Sequence, residues 1–141
     1  MPELSHLKGY NGGNIRDAQI GEEKAKVVLK SIMLGVKHIH DKNYVHRDIK
    51  PANICFENPN DLSSTKIIDF GNACKINNKT QKNYAGGTLI YQAPEQIFPH
   101  GNISKASDIF TCGFIMFELI SGRHPVLIGR ENKEAYKKRM K

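Results

Sequence analysis

The stretch Val45–Ile54, VHRDIKPANI, places His46, Arg47, Asp48, Lys50 and Asn53 within eight positions, with Pro51 among them. Polarity this dense usually marks a solvated loop, yet Tyr44 and Val45 precede it, and Ile54, Cys55 and Phe56 follow. Further on come Asp69-Phe70-Gly71 and Ala93-Pro94-Glu95. Taken singly, each residue has an ordinary reading: Asp48 as a turn former, Asn53 as a cap, His46 as a packed core histidine. Taken together, two carboxylates, a carboxamide and a lysine are what transfer of a phosphoryl group to a hydroxyl would use. A carboxylate orients the hydroxyl and accepts its proton, hard oxygens hold cations against phosphate charge, and a donor meets the transferring oxygens.

The elements that must position these groups are legible on either side. From Gly21, apolar residues Ala25, Val28, Leu29, Ile32, Val36 and Ile39 recur at three- and four-residue spacing, with Glu22, Glu23, Lys26, Lys30 and Lys37 between them. This predicts an amphipathic helix ending near His40–Asn43, acidic at its start as the helix dipole prefers. Short strands are expected at Ile54–Phe56 and Thr65–Ile68, joined by the turn-rich ENPNDLSS. The run from Asp69 to Glu95 has little periodicity, and a loop of that length inside a compact domain is usually functional. A second helix is predicted over Lys105–Ser121. Its apolar residues Ile109, Phe110, Phe114, Ile115, Phe117, Leu119 and Ile120 cover nearly the whole circumference, so it is expected at the centre of the domain, stopped by Gly122.

The chain has 141 residues, 39% hydrophobic and 25% charged, which suits one globular domain rather than a disordered chain. Its formal charge of +7 favours acidic partners, including phosphates, but the basic residues are scattered, which argues against nucleic-acid binding. The dense cluster Lys137, Lys138, Arg139 and Lys141 reads as a frayed or truncated end. Cys55, Cys74 and Cys112 are far apart and odd in number, so neither zinc spacing nor a disulfide framework is expected, and a reducing cytosol or nucleus is the default location. MPELSHLKGY has no signal-peptide pattern, and the apolar stretch Ile109–Ile120 is too short and interrupted to span a bilayer, so no membrane association is expected.

His-Arg-Asp with Asn five residues after the aspartate has odds of about one in a hundred thousand per start position, at roughly one in twenty per fixed residue. With DFG and APE following in order, the chain resembles the eukaryotic serine/threonine protein kinases over essentially its whole length. The resemblance implies an α+β, mainly α fold: the large lobe of a kinase, with short β-hairpins around the catalytic loop. It implies ATP and Mg²⁺ as cofactors and a protein substrate carrying Ser or Thr. Asp48 would be the catalytic base, Lys50 would reach the γ-phosphate, and Asn53 and Asp69 would hold Mg²⁺. Thr88 would bond both Asp48 and Lys50, and Lys50 and Thr88 together point to serine/threonine specificity. His46 would pack on Phe70, Asp108 would hold the loop's backbone, and Ile54–Phe56, with Cys55, would lie beneath the adenine ring. Arg47 would pair with a phosphate on the activation segment, at Thr80 or Tyr84.

MPEL resembles the connecting hinge, with Met1 near the gatekeeper position and Pro2 and Leu4 meeting the adenine edge. Neither a G-x-G-x-x-G loop nor a V-A-I-K-like segment occurs in the chain, and GYNGG at 9–13 is not the former. Residues 1–141 are therefore expected to form a partial kinase domain without its small lobe. The arginine that pairs with the APE glutamate is also expected to be missing, leaving Glu95 without its partner. The expected activity of these residues alone is weak or nil. A non-catalytic, pseudokinase-like binding module and a truncated kinase remnant are the alternatives; a glycine-rich loop and a strand lysine upstream of Met1 would decide for the enzyme.

Overall fold

The computed structural model of the chain describes residues 20–58, 60–76, 86–98 and 103–141. It is built around two long helices. Helix α1 spans Glu22–Asp41 and buries Ala25, Val28, Ile32, Val36, Ile39 and His40, the stripe that its apolar spacing predicts. Helix α3 spans Lys105–Ser121. They pack across a core that joins Val28, Ile32 and Val36 of α1 to Cys112, Ile115 and Leu119 of α3, with Ile49, Ile54 and Phe56 filling in from the segment between. Burying each such aliphatic side chain contributes about 1.5–3 kcal/mol, so this contact dominates the fold's stability.

Two small antiparallel ladders sit on this frame. Strand β2, Ile54–Phe56, pairs with β3, Thr65–Ile67, in the register Ile54↔Ile67 and Phe56↔Thr65. The fourth residue of the expected strand, Ile68, leaves the ladder, but its amide still donates to the Asn53 carbonyl at 2.9 Å. The second ladder joins β1, Tyr44–Val45, to β4, Cys74–Lys75. It was not expected, because two residues carry no readable period. Asn43, with φ 58°, starts the turn into β1. Within the supposed long loop also lie a single 3₁₀ turn at Leu89–Tyr91 and the start of the short helix α2, Pro94–Ile97.

Two expectations need correction. Helix α3 is not apolar-buried all round: Ile109, Phe110 and Phe117 are exposed, while its buried face includes Ser107, Asp108, Thr111 and Glu118. Its circumference looked uniform because polar residues that find partners inside the fold stand where apolar ones would be read as core. The basic tail is not frayed either. It forms helix α4, Lys133–Arg139, capped by the Asn132 side chain accepting from the Ala135 amide at 2.8 Å, with its basic residues in the last turn where the dipole favours them. Helix α3 has its own reciprocal cap: Ser104 Oγ accepts from the Ala106 amide, and the Ser104 amide donates to Ser107 Oγ. It ends at Gly122, in the left-handed conformation at φ 71°.

Candidate active site

The loop between β1 and β2 is held from below by one carboxylate. Asp108, in the first turn of α3 and 2% exposed, accepts from the His46 amide at Oδ2 (2.9 Å) and from the Arg47 amide at Oδ1 (3.0 Å). His40, at the end of α1, reaches Oδ2 through Nε2 at 2.8 Å. Arg47 has φ 69°, an uncommon conformation for a residue with a long side chain. The carboxylate compensates by giving two successive amides an acceptor. Asp108 thus ties α1, α3 and the loop at one point.

His46 is fully buried and fixes the next step. The Asp48 amide donates to its Nδ1 at 3.2 Å, so Nε2 carries the proton and donates to the Ile68 carbonyl at 3.0 Å. Its ring meets Phe70 edge-on, with centroids 5.2 Å apart. The histidine therefore binds the His-Arg-Asp loop to the residues just before and within Asp-Phe-Gly. Phe70 keeps a second face open: it is 53% exposed, and with Leu34, Gly35, Ile39 and Ile67 it lines a cavity of about 340 Å³.

Asp48 itself is 8% exposed and its carboxylate is surrounded by donors. Thr88 Oγ1 lies 3.3 Å from Oδ1, Asn53 Nδ2 3.3 Å from Oδ2, and Asn72 Nδ2 3.2 Å from Oδ2. Lys50 Nζ donates to Thr88 Oγ1 at 2.8 Å and stands 3.6 Å from Asp48 Oδ2. A hydroxyl can accept from the ammonium while donating to the carboxylate, so Thr88 links the two charges. Asn53 Nδ2 also donates to the Asp48 carbonyl at 2.8 Å, which directs the amide nitrogen to the loop and leaves its carbonyl oxygen as the atom suited to a hard cation. The β2–β3 register puts Asn53 opposite Ile68, and so next to Asp69. Asp69 is exposed, has φ 61°, and accepts from the Gly71 amide at 3.1 Å. Among the described residues no cluster of three or more His, Cys, Asp or Glu could hold a metal by itself. Asn53 and Asp69 nevertheless offer oxygen donors of the kind Mg²⁺ takes.

The activation-segment side is pressed against the loop at Gly87. Its φ is +88°, and a Cβ there would stand 3.0 Å from the Arg47 carbonyl. Gln96 Nε2 donates to that same carbonyl at 3.3 Å. Arg47 Nε donates to the Asn72 carbonyl at 2.5 Å, so part of its guanidinium is engaged by the residue that follows Asp-Phe-Gly. Glu95 accepts from Ser107 Oγ at Oε1 (2.7 Å), a neutral donor and not the arginine of the family pattern. Cys55 is 2% exposed, so the chain's own atoms cover the thiol. Pro2, Leu4, Thr80 and Tyr84 lie outside the described residues.

Asn72 and His40 were not singled out from sequence. Asn72 was findable as the residue directly after Asp-Phe-Gly; His40 carries no local signal, since only the fold brings it to Asp108. Among the described residues no helix is long and apolar enough to cross a membrane.

A model of the protein kinase domain matches residues 4–141. The chain is 39% identical over 120 residues to the "Probable serine/threonine-protein kinase 2" of Plasmodium falciparum, covering 85% of this chain and 23% of that one. It is 34% identical over 122 residues to calcium-dependent protein kinase 4 of Plasmodium berghei, covering 82% and 23%. Among solved structures, the yeast RNA Pol II CTD kinase CTDK-1 complex contains a chain similar at a TM-score of 0.73 and 30% identity, over 86% of this chain and 38% of that one. The chain thus spans about a quarter of the length of these curated relatives. With the loop, the Asp-Phe-Gly turn and the central helix arranged as described, the chain belongs to the protein kinase domain family, among relatives that are serine/threonine kinases.

Proposed function

We propose that the protein containing this chain transfers the γ-phosphoryl group of ATP to Ser or Thr hydroxyls of proteins. The observation that carries this reading is the convergence of Lys50, Thr88, Asn53 and Asn72 on one buried carboxylate, Asp48. The acceptor oxygen bonds to the γ-phosphorus, the bond from that phosphorus to the bridging oxygen breaks, ADP leaves, and the hydroxyl proton passes to Asp48. Lys50, fixed by Thr88, meets the negative charge on the transferring oxygens, and the amide donors keep the carboxylate aimed. Asn53 and Asp69 would hold Mg²⁺, which when bound neutralises phosphate charge. Pro2 and Leu4 would meet the adenine at its edge, while Cys55, covered by the chain's own atoms, would lie beneath it without direct contact.

The proposed reaction also needs a glycine-rich phosphate loop and a strand lysine, which the 141 residues do not contain, so we place those parts in sequence beyond them. The three well-separated cysteines favour a reducing compartment, the cytosol or nucleus. The test is ATP-dependent phosphorylation of a Ser/Thr protein substrate by the full-length protein and by residues 1–141 alone. The expected result is transfer by the former, abolished by Asp48→Asn and by Asp69→Ala, and little or none by the latter. Full activity after Asp69→Ala would remove the metal assignment, and full activity after Asp48→Asn would remove the mechanism.

A further inference from the structure

The turn Leu89–Tyr91 begins immediately after Thr88 and closes on it, the Tyr91 amide donating to the Thr88 carbonyl at 2.9 Å. Whatever fixes this turn fixes Thr88, and Thr88 joins Lys50 to Asp48. Two side chains from beyond α3 converge on the turn's middle carbonyl, that of Ile90. Tyr136 of α4 donates its hydroxyl proton at 2.9 Å. His124, buried in the connection that follows α3, reaches the same oxygen with Nε2. The other nitrogen, Nδ1, accepts from the Val126 amide at 3.1 Å and the Leu127 amide at 2.9 Å. An acceptor at Nδ1 requires the proton to be on Nε2, so the imidazole is a donor toward Ile90 and an acceptor toward its own loop at once. The rings of Tyr91, Phe114 and Tyr136 surround it, at centroid distances of 5.5, 4.9 and 6.0 Å. Burial holds its pKa below the ordinary imidazole value, in keeping with the neutral form these bonds need.

We propose that His124 is a positioning residue for phosphoryl transfer: with Tyr136 it clamps the Ile90 carbonyl, and through the Leu89–Tyr91 turn it holds Thr88 against Asp48 and Lys50. The proposal rests on the kinase reading above. It also assigns a use to two residues that no part of the catalytic motif requires.

The two roles of the imidazole are separable. In His124→Asn, the shorter side chain keeps an oxygen near the place of Nδ1 for the Val126 and Leu127 amides but cannot reach Ile90. In His124→Gln, the amide nitrogen reaches toward Ile90. The experiment measures kcat/KM of the full-length protein for a Ser/Thr substrate in wild type, His124→Asn, His124→Gln, Tyr136→Phe, Thr88→Val and the double variant His124→Asn/Thr88→Val. It also follows amide hydrogen exchange at Tyr91 and Gln92. The expected result is a loss of about tenfold in His124→Asn, a smaller loss in the same direction in Tyr136→Phe, and recovery in His124→Gln. In the Thr88→Val background His124→Asn should have no further effect, because residues acting through one another are not additive. The Tyr91 and Gln92 amides should exchange about tenfold faster in His124→Asn. An equal loss in both backgrounds would reduce His124 to a structural role and overturn the proposal, as would unchanged activity. A wild-type protein without transfer activity would instead overturn the kinase reading. The exchange rates would then decide the clamp separately, unchanged protection overturning it.

Discussion

Asp108→Asn is the sharpest test of how the catalytic loop is held. The carboxylate accepts three hydrogen bonds, from the amides of His46 and Arg47 and from His40, all in a buried setting. The asparagine keeps one oxygen and turns the other position into an NH₂ donor. If the oxygen faces His46 and His40, the NH₂ confronts the Arg47 amide; if it faces Arg47, the NH₂ confronts the His46 amide. Either way a backbone donor loses its acceptor and meets another donor. A hydrogen bond to a charged group contributes about 1.5–3 kcal/mol, so the substitution should destabilise by about 2–3 kcal/mol. Asp108→Ala, which strands all three donors, should cost about 2 kcal/mol more. Urea unfolding should show the midpoint of the asparagine variant lowered by roughly 1 M with an unchanged slope. Amide exchange at His46 and Arg47 should rise more than at Val28 or Ile32. If both variants stay within about 0.5 kcal/mol of wild type, the range of an ordinary surface substitution, then Asp108 does not carry the loop.

Two further predictions concern the activation-segment side. Glu118 lies buried against Tyr91, whose hydroxyl donates to both carboxylate oxygens at 3.0 Å; burial pushes its pKa from 4.5 up to about 7, outweighing that hydrogen bond. A folded-state pKa above the unfolded one gives stability that is full below about pH 4.5 and lost as pH rises through about 7, amounting to about 3 kcal/mol. Glu118→Gln should therefore flatten the fall in stability between pH 5 and pH 8, measured by urea midpoints, and an unaltered slope would exclude the assignment. Gly87→Ala would put a Cβ against the Arg47 carbonyl at a φ that alanine rarely adopts, at about 1–3 kcal/mol. The expected outcome is reduced kcat together with a lower unfolding midpoint, and a variant matching wild type in both would contradict the close approach.

The sequence was most informative where one period or one spacing dominated. Helix α1 showed itself because Ala25, Val28, Ile32, Val36 and Ile39 repeat on a single face. The loop residues Asp48, Lys50 and Asn53 were visible through their fixed spacing, which no propensity explains. The β1–β4 ladder was hidden because pairing Val45 with Cys74 depends on tertiary placement, not on a local pattern. Helix α3 misled for the opposite reason. Its apolar residues outnumber what one face can bury, and Thr111 and Glu118 sit inward because Tyr91 supplies a carbonyl to one and a hydroxyl to the other. His124 was invisible for a related cause: its partners lie 34 residues away at Ile90 and on the neighbouring amides of its own loop.

The Asp108 tie has a consequence in time. The amides of His46 and Arg47 find their acceptor 62 and 61 residues further along the chain. At about 5–20 residues per second of synthesis, roughly 3–12 s pass between the emergence of the loop and that of the carboxylate that shapes it. For that interval the nascent polypeptide carries Asp48, Lys50 and Asn53 on a loop without its anchor. The phosphate-handling groups are therefore made well before the residue that sets them.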